Sequence, residues 1–187
     1  MSTMLIIIIV AVVIGLFLIS LYNKLVAYKN NRENAFADID VQLKQRHDLI
    51  PQLVSSVKGY MDHEAGVLTR VTEARSRAIN ATTIDGKIAA EQELGSALQG
   101  LQIQVEAYPD LKASANFLQL QNEISDVENK LAAARRYFNS ATREYNVAVQ
   151  SFPSNLVAGM FGFHTEKMFD VGEVERERLD KAPDIKF

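Results

Sequence analysis

Residues 4–21, MLIIIIVAVVIGLFLISL, carry no charge, and only Gly15 and Ser20 interrupt the apolar run. Continued through Tyr22 the run is 19 residues long. As α-helix it spans about 28 Å, against a bilayer hydrocarbon core of about 30 Å. A cleaved signal peptide would have a positive leader, a shorter apolar core and a small-x-small cleavage site. The MST that precedes the run is uncharged, and LISLYNK offers no such site. The segment is therefore read as a retained transmembrane helix over residues 4–22, after a short N-terminal segment of residues 1–3. The first expected partner is the lipid bilayer.

Orientation follows from the flanks. Lys24, Lys29 and Arg32 lie just after the span, and no lysine or arginine precedes it. The positive-inside rule then puts the N-terminus outside and the remaining chain in the cytoplasm. The alternative is a bundle in the periplasm. Tyr22 and Tyr28 fit an interfacial position, although each is also an ordinary helix-surface tyrosine.

Composition narrows the chemistry. At 187 residues the chain has room for one domain and little more. With no cysteine, disulfides, thiolate metal sites and cysteine nucleophiles are excluded. Three histidines leave little for a metal centre, and 20 basic against 23 acidic residues argue against a nucleic-acid partner. No cofactor is expected.

Periodicity then sets the fold. Phe117, Leu120, Ile124, Val127, Leu131, Ala134, Phe138, Ala141, Tyr145, Ala148 and Phe152 alternate spacings of three and four, and no charge falls on the stripe. Such a heptad seam needs a long helix packed on other helices. In the first half, Leu43, Ile50, Val57, Val71 and Ala78 recur at seven or fourteen, with Val54, Met61 and Leu68 between them. Ile39, Leu53, Tyr60, Val67 and Ala74 widen that face to the breadth of a bundle helix. The pattern runs from about Ala35 to Ile79, and NKLVAYKNNREN before it contains no glycine or proline. The membrane helix is free to continue into the soluble one.

Pro51 interrupts this pattern without shifting its phase. Inside a helix it removes one backbone bond and crowds the carbonyl four residues back, at about 3 kcal/mol. Asp48 is placed to cap a restarted helix. The preserved phase favours a kink over a break. NATTIDG, residues 80–86, ends the first helix, and a second carries Ile84, Ile88, Leu94, Leu98, Leu101, Val105 and Tyr108 up to Pro109. The third ends at FPSN, residues 152–155. The expected fold is all-α: a transmembrane helix, then an elongated antiparallel bundle of three long helices over residues 23–165 with a short C-terminal helix. Residues 166–187 are expected to be a charged tail.

Several segments carry a resemblance: YNKLV, DIDVQLKQRHDLIPQLVSSVKGYMDHE, VTEAR, YPDLKAS, FLQLQNEI, ARRYFN, Tyr145-Asn146 and FPSNLVAGMFGF. In order and over nearly the whole chain, the sequence resembles the LemA family. One departure is Phe36, where many members have tryptophan; it still fills an apolar helix position. The resemblance implies a bacterial inner-membrane protein with one N-terminal membrane helix and a helical-bundle domain. It implies no enzymatic activity, and one branch of the family is tied to forming organelle membranes.

The polar residues support little catalysis. His63-Glu64 would start a zincin motif only with a second histidine at position 67, which is valine. His47 lies on the seam one heptad after Asp40; a ligand pair there is conceivable in a bundle core, and a hydrogen-bonded core histidine is the plainer reading. Glu64 and Arg75 also occupy seam positions. With Asp40, Arg46, His47 and Asp48 they are expected to form a polar network fixing register or assembly, or to mark a partly solvated bundle end. Gly59 and Gly66, seven apart, would let another helix approach one face.

Met160, Phe161 and Phe163 either cap the bundle or form an apolar patch for membrane or a partner. In an up-down-up bundle they should lie far from the anchoring bilayer. The leading functional expectation is a self-associating, membrane-anchored scaffold, a homo-oligomer that organises or remodels membrane. The alternative is an adaptor or sensor that recruits a protease, a signalling protein or another membrane protein.

Overall fold

A helix starting at Thr3 does not stop until Lys58. In the computed structural model, which describes residues 3–61 and 64–169, α1 (Thr3–Lys58) joins the apolar run, the polar connection and the start of the bundle into one element. The connection has no helix breaker, so propagation costs nothing extra there. After α1 come α2 (Ala65–Asn80), α3 (Ile84–Val105), α4 (Pro109–Ala113), α5 (Ala115–Gln150) and α6 (Ser154–Phe161). No strand occurs among the described residues. The all-α class follows from the period of the apolar stripes.

Pro51 lies inside α1 without ending it. The helix expected to reach Ile79 does break, but later, after Lys58. The Tyr60 and Met61 amides both return to the Val57 carbonyl, at 3.0 and 3.1 Å, and the chain restarts as α2 at Ala65. Gly59 supplies the local reason, since glycine disfavours a helix interior by about 1 kcal/mol relative to alanine. The larger reason is burial. Folding back sets Leu68, Val71, Ala74 and Ala78 into one core with Ile50, Leu53, Val57 and Met61. Both arms of this hairpin repeat apolar residues at sevens, so the stripe keeps its phase across a reversal that it does not reveal.

That reversal changes the direction of every later helix. With four passes instead of three, α5 runs antiparallel to α1. Leu25 shares a core with Tyr145 and Val149, whereas Phe36, later in α1, meets Phe138, earlier in α5, with ring centroids 5.4 Å apart. The expectation that residues 156–163 lie far from the membrane span is therefore corrected.

The chain forms two compact units, and α1 and α5 contribute to both. One comprises Met1–Ile39 and Ala134–Met168. Its core is Leu25, Tyr145, Val149, Val157 and Ala158, with Leu21, Tyr28, Ala148 and Phe163 packed around it. The other comprises, among the described residues, Asp40–Ala133 and Phe169. Its core adds Leu94, Leu101, Val105, Leu111 and Phe117 to the α1–α2 hairpin. Each such side chain contributes about 1.5–3 kcal/mol on burial.

Local chemistry sets the remaining boundaries. The Thr83 hydroxyl accepts from the Gly86 amide at 3.1 Å, an N-cap for α3; a Cβ at Gly86 would meet that oxygen at 2.8 Å. Pro109 opens the single turn of α4, where its missing N–H costs nothing. Gly162, with φ of +73°, ends α6, and the Phe163 amide reaches back to Ala158 O at 2.9 Å. Two seam assignments fail. Phe152 lies beyond α5 and is 80% exposed, and Tyr60 lies in the turn and is 47% exposed. The expected tail begins within the fold, because Glu166 is held by Asn146 and Phe169 is buried. The rest of that tail, and His63, lie outside the described residues.

Candidate functional site

Glu91 is the centre of a buried charged cluster. It follows Ile88 by three residues and precedes Leu94 by three, so the α3 helix turns it inward with them, and only 3% of it is exposed. Its Oε2 accepts from Arg46 Nη1 at 2.9 Å, and its Oε1 lies 2.5 Å from His47 Nε2. Both partners are adjacent on α1 and buried. Arg46 Nε sits 2.8 Å from Glu128 Oε1 on α5, an ion-pair distance out of line for a hydrogen bond. The cluster thus ties α1, α3 and α5 together. An unpaired charge here would cost several kcal/mol, so each member depends on the others.

Pro51 adds α2 to the same site. A proline has no N–H, so the carbonyl four residues earlier, that of His47, has no helical donor. Arg75 Nε fills the place at 2.7 Å. Around the rim, Lys87 Nζ donates to both Asp40 oxygens, at 2.8 and 2.6 Å, and Lys44 pairs with Asp48 at 2.8 Å. The Lys44 ammonium holds the exposed Asp48 carboxyl below its usual range. Beside them a groove of about 370 Å³ is bordered by Leu43, Ala78 and Ile79.

A second polar site lies in the other unit. Arg32 is 5% exposed; its guanidinium lies 5.0 Å from the Phe138 ring centre and 3.3 Å from Glu166 Oε2, and it donates to Lys167 O at 3.3 Å. The Asn146 amide donates to Glu166 O at 2.9 Å, and its oxygen accepts from the Glu166 amide at 2.8 Å. One side chain thereby pairs with the backbone as a strand would. Burial and the neighbouring Glu166 carboxylate push the Tyr145 phenol upward.

Of the residues expected to form the polar network, Arg46, His47 and Arg75 meet at one place, with Asp40 and Asp48 on its rim. Glu64 does not belong. It sits at the N-cap of α2, eleven residues from Arg75, or about 16 Å of helix. Gly59 and Gly66 share no face: one follows α1, the other lies in α2, and a Cβ at either would meet nothing within 4 Å. Arg32 is not a free membrane-flanking charge but a buried pair member, while Lys24 and Lys29 are exposed. The Asp40 and His47 side chains face Lys87 and Glu91, not a shared metal. Among the described residues no group of three or more potential metal ligands converges.

Glu91, Lys87 and Glu128 were not singled out from the sequence, and Asn146 entered only as part of the resemblance. For Glu91 the signal existed: it is a charge at a seam spacing between Ile88 and Leu94. Asn146 and Glu128 carry no comparable mark, because nothing in the sequence announces which backbone or which helix will face them.

Met160 and Phe161 are exposed, at 76% and 60%, and Phe163 is half-buried. The Tyr22 ring lies 4.8 Å from Phe161 and 5.8 Å from Phe163 between centroids. Before Tyr22, the described part of α1 is long and apolar enough to cross a membrane, and its apolar window is not buried within the fold.

The LemA family profile matches residues 35–187. Protein LemA of Metamycoplasma hominis is 30% identical over 162 residues, 86% of this chain and 74% of that protein. Magnetosome protein MamQ of Magnetospirillum gryphiswaldense is 22% identical over 174 residues, and Magnetosome protein MamQ 2 of Paramagnetospirillum magneticum 20%. Each of these matches covers 79% of this chain and 64% of the magnetosome protein, just under two thirds of its length.

Proposed function

The chain belongs to the LemA family, and we propose that it works there as a membrane-anchored helical scaffold that self-associates and organises or remodels bacterial membrane. One observation carries this reading. α1 passes from the apolar span into the core of the folded part as a single 56-residue helix, with no linker between them. A force or an orientation at the bundle is therefore transmitted to the lipid-facing segment, which a flexible tether would not do.

Two further features support it. The charged groups of the cluster and its rim are paired with one another: Glu91 with Arg46 and His47, and Asp40 on the rim with Lys87. Such a cluster ties the helices into one register, and the reading gives these charges a structural role. Confinement to a membrane raises effective concentration, which favours association of copies through weak contacts. The apolar stripe of α1 is largely covered by α2, α3 and α5, so assembly would use other surfaces. The likeness to magnetosome proteins supports a membrane setting. The bundle is assigned to the cytoplasmic side of the inner membrane because Lys24 and Lys29 follow the span.

A second reading is an adaptor, favoured by the groove beside Asp40, Lys44 and Asp48. Its exposed Ile79 and mixed charges suit a short peptide of a protein partner. Mass measurement of the full chain in mild detergent, with imaging of liposomes that carry it, separates the two. A large homo-oligomer with altered liposome shape is expected; a monomer or dimer on unchanged liposomes would favour the adaptor.

A further inference from the structure

α6 has two apolar faces and only one is covered. Val157 and Ala158 are buried against Leu25, Tyr145 and Val149. Leu156 and Met160, four apart on the opposite side, are 59% and 76% exposed; Phe161 at the end of the helix is 60% exposed beside Tyr22, and Phe152 just before the helix is 80% exposed. The helix, SNLVAGMF, contains no charged residue. Exposed apolar side chains clustered on one short helix mark a contact surface, whereas single ones do not.

The position of α6 identifies its occupant. Tyr22 is the last residue of the 19-residue apolar segment, and the Phe161 ring packs on it at 4.8 Å. Leu25, against which the inner face of α6 is buried, lies three residues further along α1, a rise of about 4.5 Å. α6 thus sits within one helical turn of the level where α1 leaves the hydrocarbon. Phe161 meets the last residue of the span, and Leu21 and Phe163 pack around the same core. Exposed Lys24 stands at the same level, placed for lipid phosphates.

From this the geometry points to α6 as a second membrane-contact element: an interfacial helix whose Phe152, Leu156, Met160 and Phe161 side chains enter the boundary between headgroups and acyl chains. The inference rests on residues 4–22 spanning the bilayer. The physical driving force is removal of these side chains from water, with no charge on the helix to desolvate. Two attachment points, one spanning and one lying flat, hold the emerging helix at a set angle to the membrane, which a span alone does not.

The chain has no tryptophan, so a single one introduced by substitution reports its own surroundings. Met160→Trp and, separately, Phe17→Trp would be made in the full chain. Each would be reconstituted in phosphatidylcholine–phosphatidylglycerol vesicles with bromine placed shallow or deep on the acyl chains. The expected result is strong quenching of the residue-160 tryptophan by shallow bromine and weak quenching by deep bromine, with deep quenching for residue 17. If residue 17 is quenched while residue 160 emits at the wavelength of a water-exposed indole, the span stands and the α6 inference is overturned. A blue-shifted residue-160 emission insensitive to lipid bromine also overturns it, since a second copy of the chain then covers the face. If residue 17 itself is unquenched, the spanning assignment fails, and the inference with it. Leu156→Trp repeats the test should Met160→Trp not fold.

Discussion

Arg75 on α2 donates from Nε to the carbonyl of His47 on α1 at 2.7 Å, and this is the carbonyl that Pro51 deprives of its helical donor. A side chain from the next helix thus makes the hydrogen bond that the proline cannot. It explains why α1 continues through Pro51. It also explains why Arg75 occupies a stripe position that would otherwise be apolar.

Arg75→Met should leave the His47 carbonyl without a donor and destabilise the fold by about 1–3 kcal/mol, the cost of an unsatisfied buried polar group. Pro51→Ala restores an N–H at the missing place, so the double variant should recover most of the loss. Thermal unfolding of the four proteins, followed by circular dichroism in detergent, gives the coupling directly. Additive effects would show that the two residues act independently.

Glu91→Ala removes the carboxylate shared by Arg46 and His47, leaves Arg46 with Glu128 alone, and should cost up to about 3–5 kcal/mol. Replacing Glu91, Arg46 and His47 together by leucine and methionine removes the charges as well as their partners. That variant should regain most of the stability. Comparing their assembly states then asks what the cluster adds beyond stability: if it sets register, the apolar variant will be stable but heterogeneous in native mass spectrometry.

The helical class and most of the core could be read from spacing alone, because a stripe at three and four is a direct consequence of 3.6 residues per turn. Leu43, Ile50, Val57, Val71, Leu131, Phe138 and Tyr145 are all buried as the stripes require. The turn at Gly59 was hidden for the same reason: two antiparallel helices that share a core both repeat at sevens, and one missed reversal inverted the direction of α5 and the placement of α6. The polar cluster was half legible. Arg46, His47 and Arg75 are polar residues on an apolar face and so stand out, but the Arg46 partners Glu91 and Glu128 lie 45 and 82 positions away, beyond any local pattern.

Tyr145 gives the pH dependence. Burial, reinforced by the Glu166 carboxylate, raises its phenol above the ordinary tyrosine value of about 10. A group whose folded pKa is raised favours folding in its protonated form. Its contribution is intact below the unfolded value and is lost as pH rises through the folded one. Stability should therefore fall on the alkaline side of pH 10, and not near neutrality. Spectrophotometric titration should show a late-ionising tyrosine among the six, absent from Tyr145→Phe.

Asn146 pairs with both the N–H and the C=O of Glu166, and Arg32 holds the Lys167 carbonyl beside it. Tyr145 also hydrogen-bonds the His164 backbone, so side chains of α1 and α5 tie down this non-helical stretch. Asn146→Ala removes two hydrogen bonds at once and should weaken the local packing by about 1–3 kcal/mol, at roughly 1 kcal/mol for each. The loss should be local. Hydrogen exchange should accelerate about ten- to a hundredfold at the Glu166 amide, since each 1.4 kcal/mol is a factor of ten, and remain unchanged across α2 and α3. Arg32→Lys keeps the charge but gives up the planar contact with Phe138 and the placement of Nη2 between Glu166 and the Lys167 carbonyl. Its exchange should rise over the same residues and by less. Acceleration that spread to α2 would instead mean that this stretch braces the whole fold.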